Sequence, residues 1–186
     1  MVAPAANPPD GMSLAAIPSG RMYARAGLAY EGGGMDDARV FSIGGILVRH
    51  PKGTVLFDAG FGPSVDEHFR IGTPLLLRLA SKYDRQTTVA EELRKAGIAP
   101  SGLTAVILTH AHWDHVSGLE ALPGVPVWVP AAELAFVKGT AKAGALARRL
   151  GTDSYRAYRF TDGPYRGFPA SLDLFGRVAG DLRAIF

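Results

Sequence analysis

Four side chains of the types that bind metal ions lie within six consecutive residues. The segment reads His110-Ala-His112-Trp-Asp114-His115, and it follows a short apolar run. Alternate residues of an extended chain project to the same side, so His110 and His112 share a side, and Asp114 and His115 can join them where the chain turns. Imidazole and carboxylate suit zinc, and a catalytic zinc keeps one position open for water. The segment therefore predicts a divalent-metal site of the kind used in hydrolysis.

The alternative is a chance cluster of polar residues in a surface loop. The chain has only 5 histidines in 186 residues, and random placement would produce this pattern on the order of twice in ten thousand chains, which favours the metal site. The two remaining histidines are interpreted differently. His50 lies in a predicted hairpin turn and His68 on a predicted charged helix, so both are expected to be exposed to solvent rather than to bind metal.

Composition restricts the class of protein. A chain of 186 residues with 47% hydrophobic content predicts a single globular domain, taken as residues 12–186 after a disordered leader at 1–11. Because there is no cysteine, any metal must be held by nitrogen and oxygen ligands. No apolar run is long enough for a membrane span and no secretion signal is recognised, so the interpretation is a cytoplasmic protein without a membrane partner.

The charge is uneven along the chain. The net charge is only +3, but residues 138–186 carry 9 Lys/Arg against 4 Asp/Glu. A solvated basic face is the simplest interpretation, and contact with an anionic substrate or a nucleic acid is the alternative.

Hydrophobic patterns predict strands and helices in alternation. Strands are predicted at 40–48 and 54–57, joined as a hairpin, and at 105–109, 125–129 and 171–175. Helices are predicted at 64–70, from Thr88 to about Gly97 with capping-box spacing to Glu91, and from Pro130 toward Leu150, where glycines interrupt the pattern. Alternation of this kind indicates an α/β domain, in which sites gather at the carboxyl ends of strands.

Three residues near the motif have two interpretations each. Asp58 ends an apolar strand, and it either bonds backbone amides of its own turn or orients a metal-bound histidine. Gly118 either relieves backbone crowding beside the motif or is an ordinary turn glycine. Trp113 is expected to pack against the loop rather than to bind substrate.

These residues resemble the metallo-β-lactamase-fold hydrolase superfamily. Its H-x-H-x-D-H motif matches His110 to His115, and residues 41–60, ending in Leu-Phe-Asp58-Ala-Gly, resemble the paired strands and strand-end aspartate that precede that motif. The segment Ile17-Pro-Ser-Gly20 is similar to the lactonase-like branch.

The resemblance implies an αββα sandwich with a two-zinc site between its sheets. His110 and His112 would bind one zinc, Asp114 and His115 the other, and Asp58 would support them. A metal-bound hydroxide would attack a small ester, lactone, thioester or lactam, and Asp114 would also serve catalysis as a proton shuttle.

The chain departs from the family pattern in its last third. The family completes its site with a further histidine, an aspartate and a final histidine, but this chain has no histidine after His115. We therefore expect a C-terminally truncated sandwich, with only its N-terminal half to two-thirds present, an open apolar sheet face, and a homodimer as one way to cover it. Carboxylates that remain as candidate ligands are Asp153, Asp162, Asp173 and Asp181.

Three functions remain open from the sequence. The first is a metal-dependent hydrolase acting on a small molecule. The second is an inactive, truncated remnant with a partial metal site. The third is a nucleic-acid processing member of the same superfamily, which would require salt-sensitive binding to RNA or DNA.

Overall fold

The computed structural model describes residues 8–151 and 154–175 and the backbone of 183–185. The strands are β1 Ser13–Arg25, β2 Ala38–His50, β3 Gly53–Phe57, β4 Lys82–Arg85, β5 Ala105–Ile107, β6 Val127–Pro130, β7 Tyr155–Tyr158, β8 Ser171–Asp173 and β9 Arg183–Ile185. The α-helices are α1 Ala26–Ala29, α2 Val65–Gly72, α3 Leu75–Ala80, α4 Val89–Lys95, α5 Trp113–Val116, α6 Ala131–Lys138 and α7 Ala145–Arg149.

Seven strands form one mixed sheet in the order β4-β1-β2-β3-β5-β6-β7. The strands β4, β1, β2 and β3 pair antiparallel, whereas β3, β5, β6 and β7 pair parallel. The described residues also contain a two-stranded sheet of β8 and β9. The predicted mixed α/β class is confirmed, as are the hairpin of β2 and β3 and the strands at β5, β6 and β8.

Strand β1 was missed by the sequence analysis, although it pairs along almost the whole of β2. Its register shifts between Pro18 and Gly20, and its residues are mostly small and exposed in the first half. Because a bulge breaks the period of two, the alternation that identifies a strand is lost.

The helix signals are accurate where a local cap determines the end. Thr88 accepts a hydrogen bond from the Glu91 amide at 3.1 Å, and Glu91 Oε2 accepts one from the Thr88 amide at 2.9 Å, so the predicted capping box is present. The helix that follows Pro130 ends at Lys138, and a 3₁₀ turn separates it from α7. The predicted interruption is therefore present, with Gly139 as the C-cap residue of α6 and Gly144 as the N-cap residue of α7.

The two faces of the large sheet pack differently. Alternate side chains such as Leu56, Val106 and Leu108 join the buried side chains of the helices in the main core. The opposite face has a smaller cluster of Val48, Val55, Ala105 and Ile107, against which Leu174 and Phe175 pack.

The rim of that second face is open, since the side chains of Leu14 and Ile46 are 67% and 45% exposed. The predicted open apolar face is thus present at its rim and covered at its centre. None of the helices in the described part of the chain has the length and apolar character needed to cross a lipid bilayer.

Candidate metal centre

The site lies where two neighbouring parallel strands end. Phe57 of β3 pairs with Ile107 of β5, and the Asp58 amide donates to the carbonyl of Ile107 at 3.0 Å. The chain leaving β3 therefore emerges beside the chain leaving β5, which continues into Thr109 and His110. This shared edge is the position at which α/β proteins build their sites.

Asp58 has an unusual backbone and a fully engaged carboxylate. Its φ of 58° lies in the left-handed region, which is rare for a residue other than glycine. Oδ1 accepts from the Thr109 amide at 2.8 Å, and Oδ2 lies 2.8 Å from both Thr109 Oγ1 and His115 Nδ1. All three contacts are to residues more than 50 positions away, so the carboxylate links distant segments and does not cap its own turn.

The four residues of the motif lie together. His112 is the N-cap residue of α5, which carries Asp114 and His115. The imidazole centroid of His110 lies 4.0 Å from that of His115 and 4.6 Å from that of His112. The Asp114 carboxylate is buried, and its Oδ2 lies 3.5 Å from His115 Nε2.

Burial and charge act oppositely on two of these histidines. Burial, reinforced by the neighbouring imidazoles of His115 and His112, lowers the pKa of His110, so this ring is neutral near pH 7. Burial also lowers the pKa of His115, but the hydrogen bond to Asp58 and the charges of Asp114 and Asp58 outweigh it, so its pKa is raised overall.

In His115 and in His110, one ring nitrogen contacts an oxygen atom of another side chain. Asp58 accepts from His115 Nδ1, which leaves Nε2 directed toward Asp114. Thr109 Oγ1 lies 3.1 Å from His110 Nδ1. An imidazole oriented by an oxygen at one nitrogen is the usual state of a metal ligand, whose other nitrogen carries the lone pair.

The donor types fit a divalent cation, but the donor atoms do not yet converge. Within residues 8–151 and 154–175, no group of three or more His, Asp or Glu side chains is arranged so that it could hold a metal ion. Coordination by the motif would therefore need side-chain rotation or additional ligands. The types of donor atom favour a metal, but in this structure the side chains lie next to one another without directing their donor atoms at one point.

Two supporting residues were missed by the sequence analysis. Thr109 bonds Asp58 through its amide and its hydroxyl, and Glu133 Oε1 in α6 accepts from the Ala111 amide at 2.9 Å. Thr109 could have been suspected from its position before the motif. Glu133 had no local signal, because it follows 22 residues later.

The segments around Asp58 and His115 approach closely. The Ala59 amide donates to the His115 carbonyl at 2.8 Å, and the Gly118 amide donates to the Gly60 carbonyl at 2.9 Å. A Cβ atom at position 118 would lie 2.1 Å from the Ala59 carbonyl oxygen. The close approach predicted for the small residues after Asp58 is confirmed, and crowding explains the glycine at 118.

The predictions for three other residues have mixed outcomes. His68 is only 5% exposed and contacts Ser117, so the prediction of a solvent-exposed His68 is wrong. The helix that carries it turns one face toward α5, and charged neighbours in sequence did not reveal that face. Trp113 stacks on Phe61 at 5.4 Å, as expected for a packing role, and it also lines the cavity beside the motif. His50 is half-buried and stacks on Phe175 at 4.6 Å, so it is less exposed than predicted.

Two candidate carboxylates are engaged with local backbone. Asp162 Oδ2 accepts from the Asp173 amide at 2.7 Å, and Asp173 Oδ1 accepts from the Phe175 amide at 3.0 Å. Asp153 and Asp181 lie outside the described residues.

A cavity of about 430 Å³ opens beside the motif. All four motif residues line it, together with apolar side chains of Met22, Leu28, Phe41, Phe69, Leu77 and Trp113. A cavity lined by histidines and by apolar side chains is suited to a small molecule that has both a polar group and an apolar part.

Comparison with known proteins agrees with this fold. Residues 45–182 match the family model of the metallo-beta-lactamase superfamily, and the chain belongs to that superfamily. The recognised resemblance is therefore confirmed.

Individual relatives are more distant. A protein of Mycobacterium bovis named as a probable metallo-hydrolase is 31% identical over 121 residues, which are 64% of this chain and 36% of the relative. The chain thus spans about a third of the length of that relative.

Solved structures share the fold at low identity. An N-acyl homoserine lactone hydrolase with N-hexanoyl-L-homoserine at its catalytic metal centre has a TM-score of 0.65 at 19% identity, covering 91% of this chain and 68% of its own. A dizinc quorum-quenching lactonase in complex with the same product has a TM-score of 0.58 at 16% identity, covering 95% and 68%.

Proposed function

We propose that the chain acts as a metal-dependent hydrolase on a small ester, lactone, thioester or lactam. The proposed ligands are His110, His112, Asp114 and His115, and the proposed metal is zinc. One observation carries the proposal: three imidazoles and a carboxylate lie side by side at a strand end, with His115 oriented through Nδ1 by Asp58.

The donor set supports zinc by its chemistry. With no cysteine in the chain, neutral imidazole nitrogen and carboxylate oxygen are the available ligands, and zinc accepts both. A bound divalent cation would polarise the scissile carbonyl and lower the pKa of bound water to about 7. The dizinc neighbour supports two ions in the family fold.

The chain's own residues would divide the remaining tasks. Asp58 and Thr109 hold the ring of His115 in one orientation and tautomer. Asp114, buried and 3.5 Å from His115 Nε2, is the proposed carrier of a proton to the leaving group. The apolar walls of the adjoining cavity would bind the apolar part of the substrate and exclude water from it.

Among the proposed substrates, the lining of the cavity favours a lactone that carries an apolar substituent. Apolar side chains line the cavity together with the motif, and both lactonase neighbours hold N-hexanoyl-L-homoserine as a product. The proposed class of substrate is therefore a small amphiphilic molecule, and a screen of lactones with different acyl chains tests it.

A second candidate function is favoured by a specific observation. In the described part of the chain, no three donors are arranged to hold a metal. This supports a non-catalytic protein with a partial metal site, which would bind zinc weakly and show no turnover.

Zinc content per chain discriminates these functions. Purified protein is analysed for zinc beside a His110→Ala, His112→Ala double variant and a His50→Ala control, because His50 lies outside the motif. Close to two zincs, lost only in the double variant and accompanied by ester hydrolysis that EDTA abolishes, supports the hydrolase. Little zinc in the unaltered protein and no hydrolysis would refute it in favour of the partial site.

A further inference from the structure

His68 is a buried histidine that the proposed chemistry does not use. It lies on α2, is 5% exposed, and its Nδ1 lies 2.9 Å from Ser117 Oγ. Ser117 is fully buried and directly follows α5, the turn that carries Asp114 and His115. A buried imidazole in contact with this turn needs a structural or functional reason.

The Ser117 hydroxyl lies between the Gly62 amide and the His68 ring. The Gly62 amide donates to Ser117 Oγ at 2.9 Å, so the serine oxygen acts as an acceptor there. The hydroxyl keeps its one proton, and His68 Nδ1 accepts that proton in the tautomer that carries the ring proton on Nε2. Burial lowers the pKa of His68, which favours the neutral ring, and the Glu120 carboxylate 3.8 Å from Nε2 favours the tautomer with its proton on Nε2.

The other side of the His68 ring faces a carboxylate. Nε2 lies 3.8 Å from Glu120 Oε2, and Glu120 Oε1 accepts from the Ser64 amide at 2.7 Å. Both ends of the imidazole therefore face groups of the segment that follows α5. The ring joins α2 to the segment 117–120.

The contact between His68 and Ser117 lies at the end of a row of hydrogen bonds between two segments, 58–62 and 115–118, which we call the paired segments. Asp58 Oδ2 lies 2.8 Å from His115 Nδ1, and the row continues through Ala59 and Gly60 to the bond between Gly62 and Ser117. His68 orients the serine hydroxyl at the far end of this row.

The paired segments are packed too tightly to slide independently. A Cβ atom at Gly62 would lie 2.3 Å from the Ser117 carbonyl oxygen, and one at Gly118 would lie 2.1 Å from the Ala59 carbonyl oxygen. In a close-packed interior, a displacement of one backbone is transmitted to the other. A change at Ser117 therefore reaches His115, two residues away.

We propose that His68 is a positioning residue for His115: through Ser117 Oγ it sets the register of the paired segments, and with it the contact between His115 and Asp58. Its consequence for zinc binding rests on the function proposed above. Ser117, His68 and Glu120 do not form a nucleophilic triad, because the Ser117 side chain is fully buried and no substrate can reach its hydroxyl.

Three variants test the proposal. His68→Leu keeps a side chain of similar volume and removes the acceptor, and Ser117→Ala removes only the hydroxyl. His68→Asn places an amide oxygen near the position of Nδ1 and is the conservative rescue. The first readout is the ¹⁵N and ¹H imidazole signal of His115 in the metal-free protein, which reports the proton on Nδ1 held by Asp58.

We expect His68→Leu and Ser117→Ala each to shift the His115 imidazole signal and to speed the exchange of its Nδ1 proton with solvent. In His68→Asn we expect the signal and the exchange rate of the unaltered protein. The second readout is zinc affinity, which we expect to fall about tenfold in the first two variants. If His68→Leu does not fold, Ser117→Ala decides alone, because it removes one atom.

The outcomes separate this inference from the proposed function. An unchanged His115 signal in Ser117→Ala, or a signal that His68→Asn does not restore, overturns the positioning role. Zinc binding that fails in the unaltered protein refutes the proposed function, yet the metal-free imidazole signals still decide the role of His68.

Discussion

The Asp58 carboxylate and the His115 imidazole meet at 2.8 Å although 57 positions separate them in the chain. The contact brings together the residue that follows β3 and the last residue of the motif, and the backbone of Asp58 is left-handed. Backbone strain that persists at a strand end, beside perturbed histidines, is a mark of a functional site. The same pair supplies the first test of the proposed metal site.

Replacing Asp58 by Asn removes the charge that holds His115 Nδ1, while asparagine still tolerates the left-handed backbone. We expect zinc affinity to fall by about ten- to a hundredfold, measured by competition with a chelator. Asp36→Asn, at an exposed aspartate, is the matched control. Equal affinity in the Asp58 variant and the control would show that Asp58 does not support a metal ligand.

Gly118→Ala should lower the free energy of unfolding by about 1 to 3 kcal/mol, because the added methyl group would overlap the Ala59 carbonyl. Urea unfolding followed by circular dichroism measures the change. Gly102→Ala is a suitable control, since the nearest atom to its added methyl group would be 3.9 Å away. A loss no greater than that of the control would contradict the tight approach of the paired segments.

Glu133→Ala should expose the amide of Ala111 to faster hydrogen exchange, because the amide loses its acceptor in α6. A lost hydrogen bond to a charged acceptor costs about 1.5 to 3 kcal/mol. Glu133→Gln keeps a carbonyl oxygen and should retain most of the protection. Exchange rates at residue 111 that are the same in both variants would show that α6 does not restrain the motif.

The stability of the protein should depend on pH through His68. Burial lowers its pKa below the ordinary 6.5, aided by the charge of Arg149 and opposed by Glu120 and Glu67. Below pH 6.5 the unfolded chain therefore binds a proton at this site that the folded chain does not. The free energy of unfolding must fall as the pH decreases through that range.

Urea unfolding of the unaltered protein and of His68→Leu, at a series of pH values from about 7.5 to about 5, measures this contribution. The difference in stability between the two proteins should shrink as the pH falls, because the variant has no proton to gain at position 68. A difference that stays constant across the series would mean that His68 does not resist protonation.

Much of the fold and the core of the site could be predicted from short segments. The hairpin of β2 and β3 was predicted by two apolar runs and a turn, and the start of α4 by the spacing of Thr88 and Glu91. The four motif residues stand close in sequence, so a single turn brings them together. In each case the determining interactions are local, and local interactions are visible in a sequence.

The tertiary structure alone decided which distant residues support the motif. The sequence allowed two roles for Asp58. The parallel pairing of β3 with β5 places it beside Thr109 and His115, and this selects the role of orienting His115. His68 was expected in solvent and is buried, because packing of α2 on α5 selects which face of the helix is covered. Contacts across 50 or more positions depend on strand order and helix packing, which neighbouring residues do not specify.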